Sequence, residues 1–450
     1  MPIERLPLSF RSKLLTEVYK HLNAGKCGAL IGVASSGKSR LVEFMGRPDV
    51  RQKYLGDDWT KTLFPWVDGN DLLEHSEWGV YEKVLNAILT DLSQLPDQGG
   101  EDREKVQEWY WKLVRSEDRH LVRRLVAFAI ADLKHINRIV LLLDDFDDFL
   151  PKASDMVFSG LRGLRDQFKQ DNQYRLLYIL TVRRQPVLFR EMTPAYESFL
   201  ELFKNFTYPI GCYSREDALH MIRRLADAFP LAGRTLTPDL ANKLYEVTGG
   251  HAGLIDAAFH SKTEAEWGRR DLAQVLFRAG GVWNECMSIW EGLDKDDRDA
   301  LESVANGRDP GATATHWLEN SGLVWRDQQG QPQVIEVLRL FLLEPSGRIP
   351  DIQIDGGRRL VTINGCAVEL TERELALVQR LYRFRGEVCT YQELFQEIYP
   401  NRTFSLELQS EVRQLAQRVG NKIVRACDMR RIIIHEESQG GYRLIGANGR

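Results

Sequence analysis

The chain has 450 residues, of which 43% are hydrophobic and 28% charged, and its formal net charge is −4; this is a globular composition whose length suggests two to four domains. The near balance of charge excludes a protein that attracts polyanions over its whole surface, so binding of nucleic acid would need a local basic patch. No window reaches about 18 uncharged apolar residues and the N-terminus lacks a signal-peptide core, so we expect a cytoplasmic protein without a membrane segment.

The first predicted element is a phosphate-binding loop. Residues 32–39, GVASSGKS, match the pattern G-x-x-x-x-G-K-[ST] between an apolar strand, CGALIG, and a helix, SRLVEFM. The glycines let such a loop turn its N–H groups toward phosphates, Lys38 would neutralise the β- and γ-phosphate oxygens, and the Ser39 hydroxyl would bind Mg²⁺. The predicted nucleotide contacts are Gly32, Ser35, Ser36, Gly37, Lys38, Ser39 and Arg40.

A buried strand that ends in two carboxylates is predicted within RIVLLLDDFDDFL, residues 138–150. Its five apolar residues lead into Asp144 and Asp145 at the C-terminal edge, where α/β sheets place their ligands. Asp144 is the expected magnesium ligand, and Asp145 is the expected group that orients or deprotonates the attacking water. Asp147 and Asp148 are interpreted as solvated or helix-capping carboxylates.

A third buried strand is predicted within YRLLYILTVRR, residues 174–184, and it ends in Thr181, Val182 and Arg183. An arginine at the tip of a strand beside the acidic strand can sense the γ-phosphate, because its charge interacts differently with a triphosphate and a diphosphate. Arg183 therefore joins Lys38 and Asp145 as a candidate catalytic residue. The alternative is an arginine that only ends a strand.

These motifs, followed by EVTGGHAGLI at 246–255, come in the order seen in STAND-type signal-transduction ATPases, which are relatives of the AAA+ and origin-recognition ATPases. The chain resembles that family over roughly residues 1–345. The resemblance implies ATP rather than GTP, and no Asn-Lys-x-Asp guanine motif follows the acidic strand. It implies an α/β P-loop NTPase with a parallel sheet and helices on both faces (1–210), then a helical lid (211–280) and a winged helix (281–345).

The same resemblance places a turn of the lid against the nucleotide. Gly249, Gly250 and His251 match a Gly-Gly-x-Pro-like turn, although Ala252 stands where proline is usual. His251 would face the phosphates, or it would cap the following helix.

The C-terminal region begins with alternating apolar residues around Asn364-Gly365, which predict a hairpin, and continues with a helix whose Thr371 and Glu374 have the spacing of a capping box. It resembles the OmpR/PhoB-type winged-helix DNA-binding domain over roughly residues 350–446, so 346–450 would form a second winged helix. By this resemblance residues 410–426 are the recognition helix and double-stranded DNA is the partner. The predicted DNA contacts are Arg413, Gln414, Gln417, Arg418, Asn421, Lys422 and Arg425.

The predicted wing departs from the family pattern. Glu436 and Glu437 stand where family members usually carry an arginine for the minor groove, and carboxylates are repelled by a phosphate backbone. The domain is therefore either a DNA reader or a module that docks a protein.

The leading hypothesis is an ATP- and Mg²⁺-dependent molecular switch, a slow ATPase that regulates transcription by binding DNA. A second hypothesis is a signalling or defence ATPase subunit whose winged helices dock partner proteins, or which self-associates on binding ATP. A third is a DNA-remodelling ATPase of the origin-recognition or transposition kind. Binding of duplex DNA separates the first from the second, and hydrolysis stimulated by DNA favours the third.

Overall fold

The structure is a computed structural model. It describes residues 6–72, 74–95, 100–116, 121–170, 173–228, 236–260, 267, 271–277, 279–343, 352–363, 366–384, 388–400, 402–427, 432–436 and 440–444. The chain divides into two compact units, Met1–Asp217 and Ala218–Arg450. Within the described part, no helix combines the length and the apolar character that crossing a membrane requires.

The first unit alternates strands and helices. Its elements are α1 (Ser12–Asn23), β1 (Gly28–Ile31), α2 (Lys38–Gly46), α3 (Pro48–Leu55), β2 (Thr62–Leu63), β3 (Trp66–Asp68), α4 (Glu77–Leu92), α5 (Gly100–Arg115), α6 (Val122–Asp132), β4 (Arg138–Asp144), α7 (Asp155–Gln167), β5 (Lys169–Gln170), β6 (Gln173–Tyr174), β7 (Leu176–Val182), α8 (Pro194–Leu200) and β8 (Thr207–Pro209). The next helix, α9 (Arg215–Ala228), crosses the division between the units.

A six-stranded sheet with the order β2-β4-β7-β1-β8 forms the centre of this unit, and β3 also pairs with β4. Every one of these pairings is parallel. All residues of β1 and β7, and all but the first of β4, are buried, as expected for strands covered on both faces. The parallel sheet with its flanking helices fits an α/β P-loop NTPase fold.

The strand order positions the predicted motifs. The strand β7 lies between β1, which leads into the phosphate loop, and β4, which ends in Asp144. Because parallel strands end at the same edge, the loop, the two acidic residues and the tip of β7 are brought together there. The prediction that the Arg183 strand lies beside the acidic strand is confirmed by the β4–β7 pairing.

The second unit is mainly helical, with short antiparallel sheets. After α9 its elements are α10 (Pro238–Thr248), α11 (Ala252–His260), α12 (Leu272–Phe277), α13 (Gly280–Gly292), α14 (Lys295–Ala305), α15 (Ala312–Asn320), β9 (Val324–Arg326), β10 (Pro332–Val334), α16 (Glu336–Leu343), β11 (Ile352–Asp355), β12 (Leu360–Ile363), β13 (Cys366–Glu369), α17 (Glu372–Arg383), β14 (Cys389–Thr390), α18 (Tyr391–Ile398), α19 (Gln409–Cys427), β15 (Ile433–Glu436) and β16 (Gly441–Leu444).

The C-terminal elements follow their local sequence signals. The strands β12 and β13 pair antiparallel on either side of the predicted Asn364-Gly365 turn, whose own two residues lie outside the described part. The helix α17 begins with the predicted capping box of Thr371 and Glu374. The helix α19 covers the predicted recognition helix, and the strands β14, β16 and β15 form one antiparallel sheet.

Candidate nucleotide site and candidate DNA-binding face

The phosphate loop adopts backbone conformations that its small residues permit. Gly37 has φ +88° and Ser35 has φ +52°, both in the left-handed region. A Cβ at Gly32 would lie 2.8 Å from the Cβ of Ile210, and one at Gly37 would lie 2.7 Å from the Tyr213 hydroxyl. Gly32 is therefore required by close packing against the segment that follows β8, and Gly37 is required by its positive φ.

The Lys38 side chain lies over the loop and is buried. Its Nζ donates hydrogen bonds to the carbonyl oxygens of Gly32, at 2.8 Å, and Val33, at 3.1 Å. Burial lowers the pKa of Lys38, and the carboxylates of Asp147 and Asp145 act in the opposite direction. The lysine charge therefore lies beside the loop carbonyl groups, close to the carboxylates of Asp145 and Asp147.

Asp144 and Ser39, the predicted magnesium ligands, are brought together. The Ser39 hydroxyl donates a hydrogen bond to the Asp144 carboxylate, and the Thr181 hydroxyl donates to its Oδ1. The indole N–H of Trp66 donates to Oδ2 at 3.3 Å. Burial raises the pKa of Asp144, and these hydrogen bonds partly offset that effect because they favour the charged form.

Asp145 has an unusual backbone conformation for a residue with a side chain. Its φ is +50°, and its N–H donates to the Thr181 hydroxyl at 3.0 Å. Its Oδ2 accepts a hydrogen bond of 3.3 Å from the side-chain amide of Asn70. A Cβ at Gly69 would lie 2.6 Å from the Asp145 carbonyl oxygen, so only glycine allows this approach. Strained backbone of this kind occurs often at functional sites.

Arg183 and Asp147 form a pair at the tip of β7. The Arg183 N–H donates to Asp147 Oδ1 at 2.8 Å, and its Nε lies 3.9 Å from Oδ2. The Arg183 side chain is 51% exposed, whereas that of Asp147 is 13% exposed, and burial raises the pKa of Asp147. The interpretation of Asp147 as a solvated or capping carboxylate is wrong, because its side chain is mostly buried beside Lys38; Asp148 is exposed as predicted.

Sequence reasoning did not find a clasp on the loop, formed by Arg11 and Tyr213. The Arg11 guanidinium donates to the carbonyl oxygens of Ser36, at 3.0 Å, and Gly211, at 2.8 Å. It also lies 4.8 Å from the centre of the Tyr213 ring. No local motif marks these positions, because Arg11 lies 25 residues from Ser36 and 200 residues from Gly211 in the chain.

The remaining predicted loop residues lie on the same turn. Ser35 and Arg40 are half-buried. The Ser36 hydroxyl is buried and has no hydrogen-bond partner among the described residues. A buried polar group without a partner is costly, so Ser36 is suited to contact a ligand.

The site fits a magnesium nucleotide. Gly32 and Gly37 leave a backbone cradle, and Ser39 with Asp144 supplies the hard oxygen ligands that Mg²⁺ prefers. Within the described ranges, no group of three or more His, Cys, Asp or Glu side chains could hold a metal ion by itself. A site with two protein ligands is consistent with a metal that is also held by substrate phosphates.

His251 lies in the second unit and is buried there. Gly249 and Gly250, with φ of +58° and +72°, end α10, and the His251 Nδ1 accepts a hydrogen bond of 3.3 Å from the N–H of Leu254. His251 therefore caps α11, the alternative considered for it. A contact between His251 and a nucleotide stays a prediction.

The predicted DNA contacts lie mostly on one exposed face of α19. Val412, Leu415, Val419 and Ile423 are buried and mark the opposite side. The exposed predicted contacts are Arg413, Gln414, Gln417, Arg418, Asn421 and Arg425. This face, which we call the α19 face, carries three arginines and three amide side chains.

Two of the residues predicted to contact DNA already interact with other side chains of the second unit. The Lys422 Nζ lies 2.6 Å from Glu374 Oε2, and the Lys422 side chain is 39% exposed whereas that of Glu374 is 1% exposed. The Arg413 Nε donates to the Tyr391 hydroxyl at 2.8 Å. Lys422 lies at the border of the α19 face and neutralises a buried carboxylate, so a contact between Lys422 and DNA would have to replace this ion pair.

The side chains of Glu436 and Glu437 lie outside the described part. Glu436 ends β15, and residues 437–439, including Glu437, lie outside the described part. The effect of the two carboxylates on DNA stays a prediction.

No family model matches the chain, and no curated relative matches it. Among solved structures it is similar to the Aeropyrum pernix ORC2 protein in ADPNP and ADP complexes, with 13% identity, 74% of this chain and 93% of that chain covered, and a TM-score of 0.40. It is also similar to the Aeropyrum pernix ORC1 protein in complex with DNA, with 10% identity, coverages of 99% and 92%, and a TM-score of 0.41. A third is the Thermotoga maritima RuvB Holliday junction branch migration motor, with 16% identity, coverages of 72% and 90%, and a TM-score of 0.32. The assignment of fold rests on the sheet order and the site geometry described above.

Proposed function

We propose that the protein is an ATP-dependent molecular switch with slow ATPase activity. The observation that carries this proposal is the convergence of Lys38, Ser39, Asp144 and Asp145 at one edge of the sheet. If the loop had only a structural role, the fold would not need a strained acidic residue, a buried carboxylate and a glycine-lined turn at the same place. The chain brings to that point the groups that phosphoryl transfer to water requires.

Each residue has a role that its position supports. The loop N–H groups and Lys38 bind the β- and γ-phosphates, and Lys38 exchanges its carbonyl partners for phosphate oxygens. Ser39 and Asp144 would hold Mg²⁺, which would supply positive charge to the phosphate oxygens. Asp145, fixed by Thr181 and Asn70, orients the attacking water and accepts its proton.

Arg183 is the proposed sensor of the γ-phosphate. Its side chain is half-exposed and its Nε lies 3.9 Å from Asp147, so the guanidinium can leave that carboxylate for a stronger anion. A triphosphate attracts it more than a diphosphate does, and this difference in free energy is what a switch needs. We further propose that residues 211–280 act as a lid and that 281–345 and 346–450 are winged helices.

The test is steady-state phosphate release by the full-length protein. We expect hydrolysis of ATP at a low rate, little hydrolysis of GTP, and loss of activity when EDTA removes Mg²⁺. Absence of nucleotide binding at millimolar ATP and Mg²⁺ would overturn the proposal. Binding that persists unchanged in EDTA would contradict the roles given to Ser39 and Asp144.

We also propose that the α19 face binds double-stranded DNA and that the nucleotide state regulates transcription through it. Arginine and the amide side chains match the hydrogen-bonding edges of guanine and adenine. The alternative occupant is a protein partner, and association with a partner or with further copies on binding ATP belongs to that alternative. A remodelling ATPase that acts on DNA is the third possibility, and stimulation of phosphate release by DNA would favour it.

A pair of substitutions tests the DNA proposal. We expect Arg418→Ala to cost about 1–3 kcal/mol on a site selected from genomic fragments and little on random duplex, because it removes a contact to a base edge. Lys422→Ala should leave DNA affinity nearly unchanged and instead lower the free energy of unfolding by about 1 kcal/mol, because it removes the partner of Glu374. Fluorescence anisotropy at several salt concentrations and thermal unfolding give the two readouts.

Two results of this DNA-binding test would contradict the proposal or change the role given to Arg418. If the wild-type protein binds no duplex at low salt with ATP present, the α19 face is not a DNA reader, and a protein-docking role replaces it. If Arg418→Ala weakens binding to all duplexes equally, Arg418 contacts phosphate rather than base.

A further inference from the structure

A cavity of about 670 Å³ lies at the edge of the first-unit sheet opposite to the phosphate loop, where β2, β4 and β7 begin. It is separate from the nucleotide site, because parallel strands place their two ends at opposite edges of the sheet. The side chains that matter here are those of Lys134, Arg138 and Arg175, together with Asn137 and the carboxylate of Asp58.

The positive charges of this cavity are poorly compensated. Three cationic side chains line it against the single carboxylate of Asp58. Over the described residues, none of the three makes an ion pair with a carboxylate. The lining therefore carries an excess of positive charge in a recess, where field lines are focused.

Neutral groups hold the two guanidinium groups in place. Arg138 donates to the side-chain oxygen of Asn23 at 2.9 Å. Arg175 donates to the carbonyl oxygen of Ile136 at 2.8 Å and 3.1 Å, and also to that of Leu133. Carbonyl and amide oxygens orient a guanidinium without neutralising it, so both charges remain available to an anion.

Burial disfavours these charges. Burial lowers the pKa of Arg138 and of Arg175, and the opposing effects of Asp58 on the former and Asp102 on the latter are smaller. Two partly buried guanidinium groups at the mouth of an open cavity are costly unless an anion compensates them. The exposed amine of Lys134 lies at the same cavity and can approach such an anion.

We infer that this cavity binds a phosphoryl group that carries two or more negative charges. A dianion matches the positive charge of Lys134, Arg138 and Arg175, which Asp58 in the lining and the buried Asp102 beside it offset only in part. Guanidinium groups suit phosphate because their planar N–H donors pair with two oxygens at once. The group belongs either to a free phosphorylated compound or to a nucleic-acid backbone, and both present the same oxygens.

The test uses inorganic pyrophosphate and the full-length protein carrying Lys38→Ala, which weakens binding at the phosphate loop. Isothermal titration calorimetry should detect binding in this background. Adding Arg138→Gln or Lys134→Gln should raise the dissociation constant at least about tenfold, because each removes a charge-assisted hydrogen bond. Lys134 is exposed, so its substitution does not endanger folding.

The matched control is Arg124→Gln, which removes the same charge from an exposed position on α6 outside the cavity. It should leave pyrophosphate binding unchanged. No binding in the Lys38→Ala background, or an equal loss in all three variants, overturns the inference. Neither result bears on the ATPase proposal, because that proposal concerns the opposite edge of the sheet.

Competition identifies the source of the phosphoryl group. Displacement of pyrophosphate by a 20-base-pair duplex that carries the selected site, unchanged in the Arg418→Ala variant, assigns the cavity to a nucleic-acid backbone. Displacement by ADP, with no effect of the duplex, assigns it to a free phosphorylated compound. Failure of both competitors while pyrophosphate still binds supports a small anion as the ligand.

Discussion

Replacing Lys38 by alanine is expected to weaken binding of ATP roughly 10- to 100-fold, since a hydrogen bond between charged groups contributes about 1.5–3 kcal/mol. The lysine is buried, and its Nζ already lies among the carbonyl groups of the loop, so little reorganisation accompanies its contact with phosphate. Titration of a fluorescent ATP analogue in the presence of Mg²⁺ measures the change.

Lys13→Ala is the matched control, because it removes an exposed lysine from α1 and leaves the loop intact. Its affinity for ATP should equal that of the wild-type protein. Thermal unfolding without nucleotide should show that Lys38→Ala remains folded. Wild-type affinity in a folded Lys38→Ala protein would mean that the loop does not bind the phosphates of ATP.

The second large effect is expected at Asp145. Asp145→Asn should retain ATP binding within about threefold but slow hydrolysis by roughly 10²–10⁴, because an amide cannot accept the proton of the attacking water. The amide has nearly the same shape as the carboxylate and can still contact Asn70, so the backbone at this position is preserved. Single-turnover phosphate release measures hydrolysis separately from binding and product release.

Asp148→Asn is the comparison, since Asp148 lies three residues later and is exposed. Its rate of hydrolysis should be that of the wild-type protein. If Asp145→Asn hydrolyses ATP at the wild-type rate, the general base is another carboxylate. Asp147 would be the next candidate, because it is mostly buried near Lys38.

The nucleotide edge could be predicted from sequence because its signals are local. The loop pattern, the apolar run before Asp144 and the strand before Arg183 each lie within about a dozen residues, and parallel strands end at a common edge. The observed contacts between Asp144, Ser39 and Thr181 follow from that arrangement.

The parts that sequence reasoning missed depend on contacts between distant segments. Trp66 reaches Asp144 from a neighbouring strand, and nothing around it indicates this. Lys422 lies on the predicted polar side of its helix, but a buried carboxylate from another helix engages it. Periodicity assigns a residue to a side of a helix, whereas its partners depend on tertiary packing.

The Arg11 clasp has a consequence for how the protein is made. A chain is synthesised from its N-terminus. The contacts of Arg11 with Gly211 and Asp217 therefore cannot form until those two residues have been synthesised and released from the ribosome. The strand β1 likewise cannot form its sheet pairings until β7 and β8, its two neighbours, have been synthesised. Contacts this far apart in sequence form slowly because a long loop must first be closed. The phosphate loop, although translated early, is thus among the last parts of the first unit to mature, and nascent chains shorter than about two hundred residues lack a finished nucleotide site.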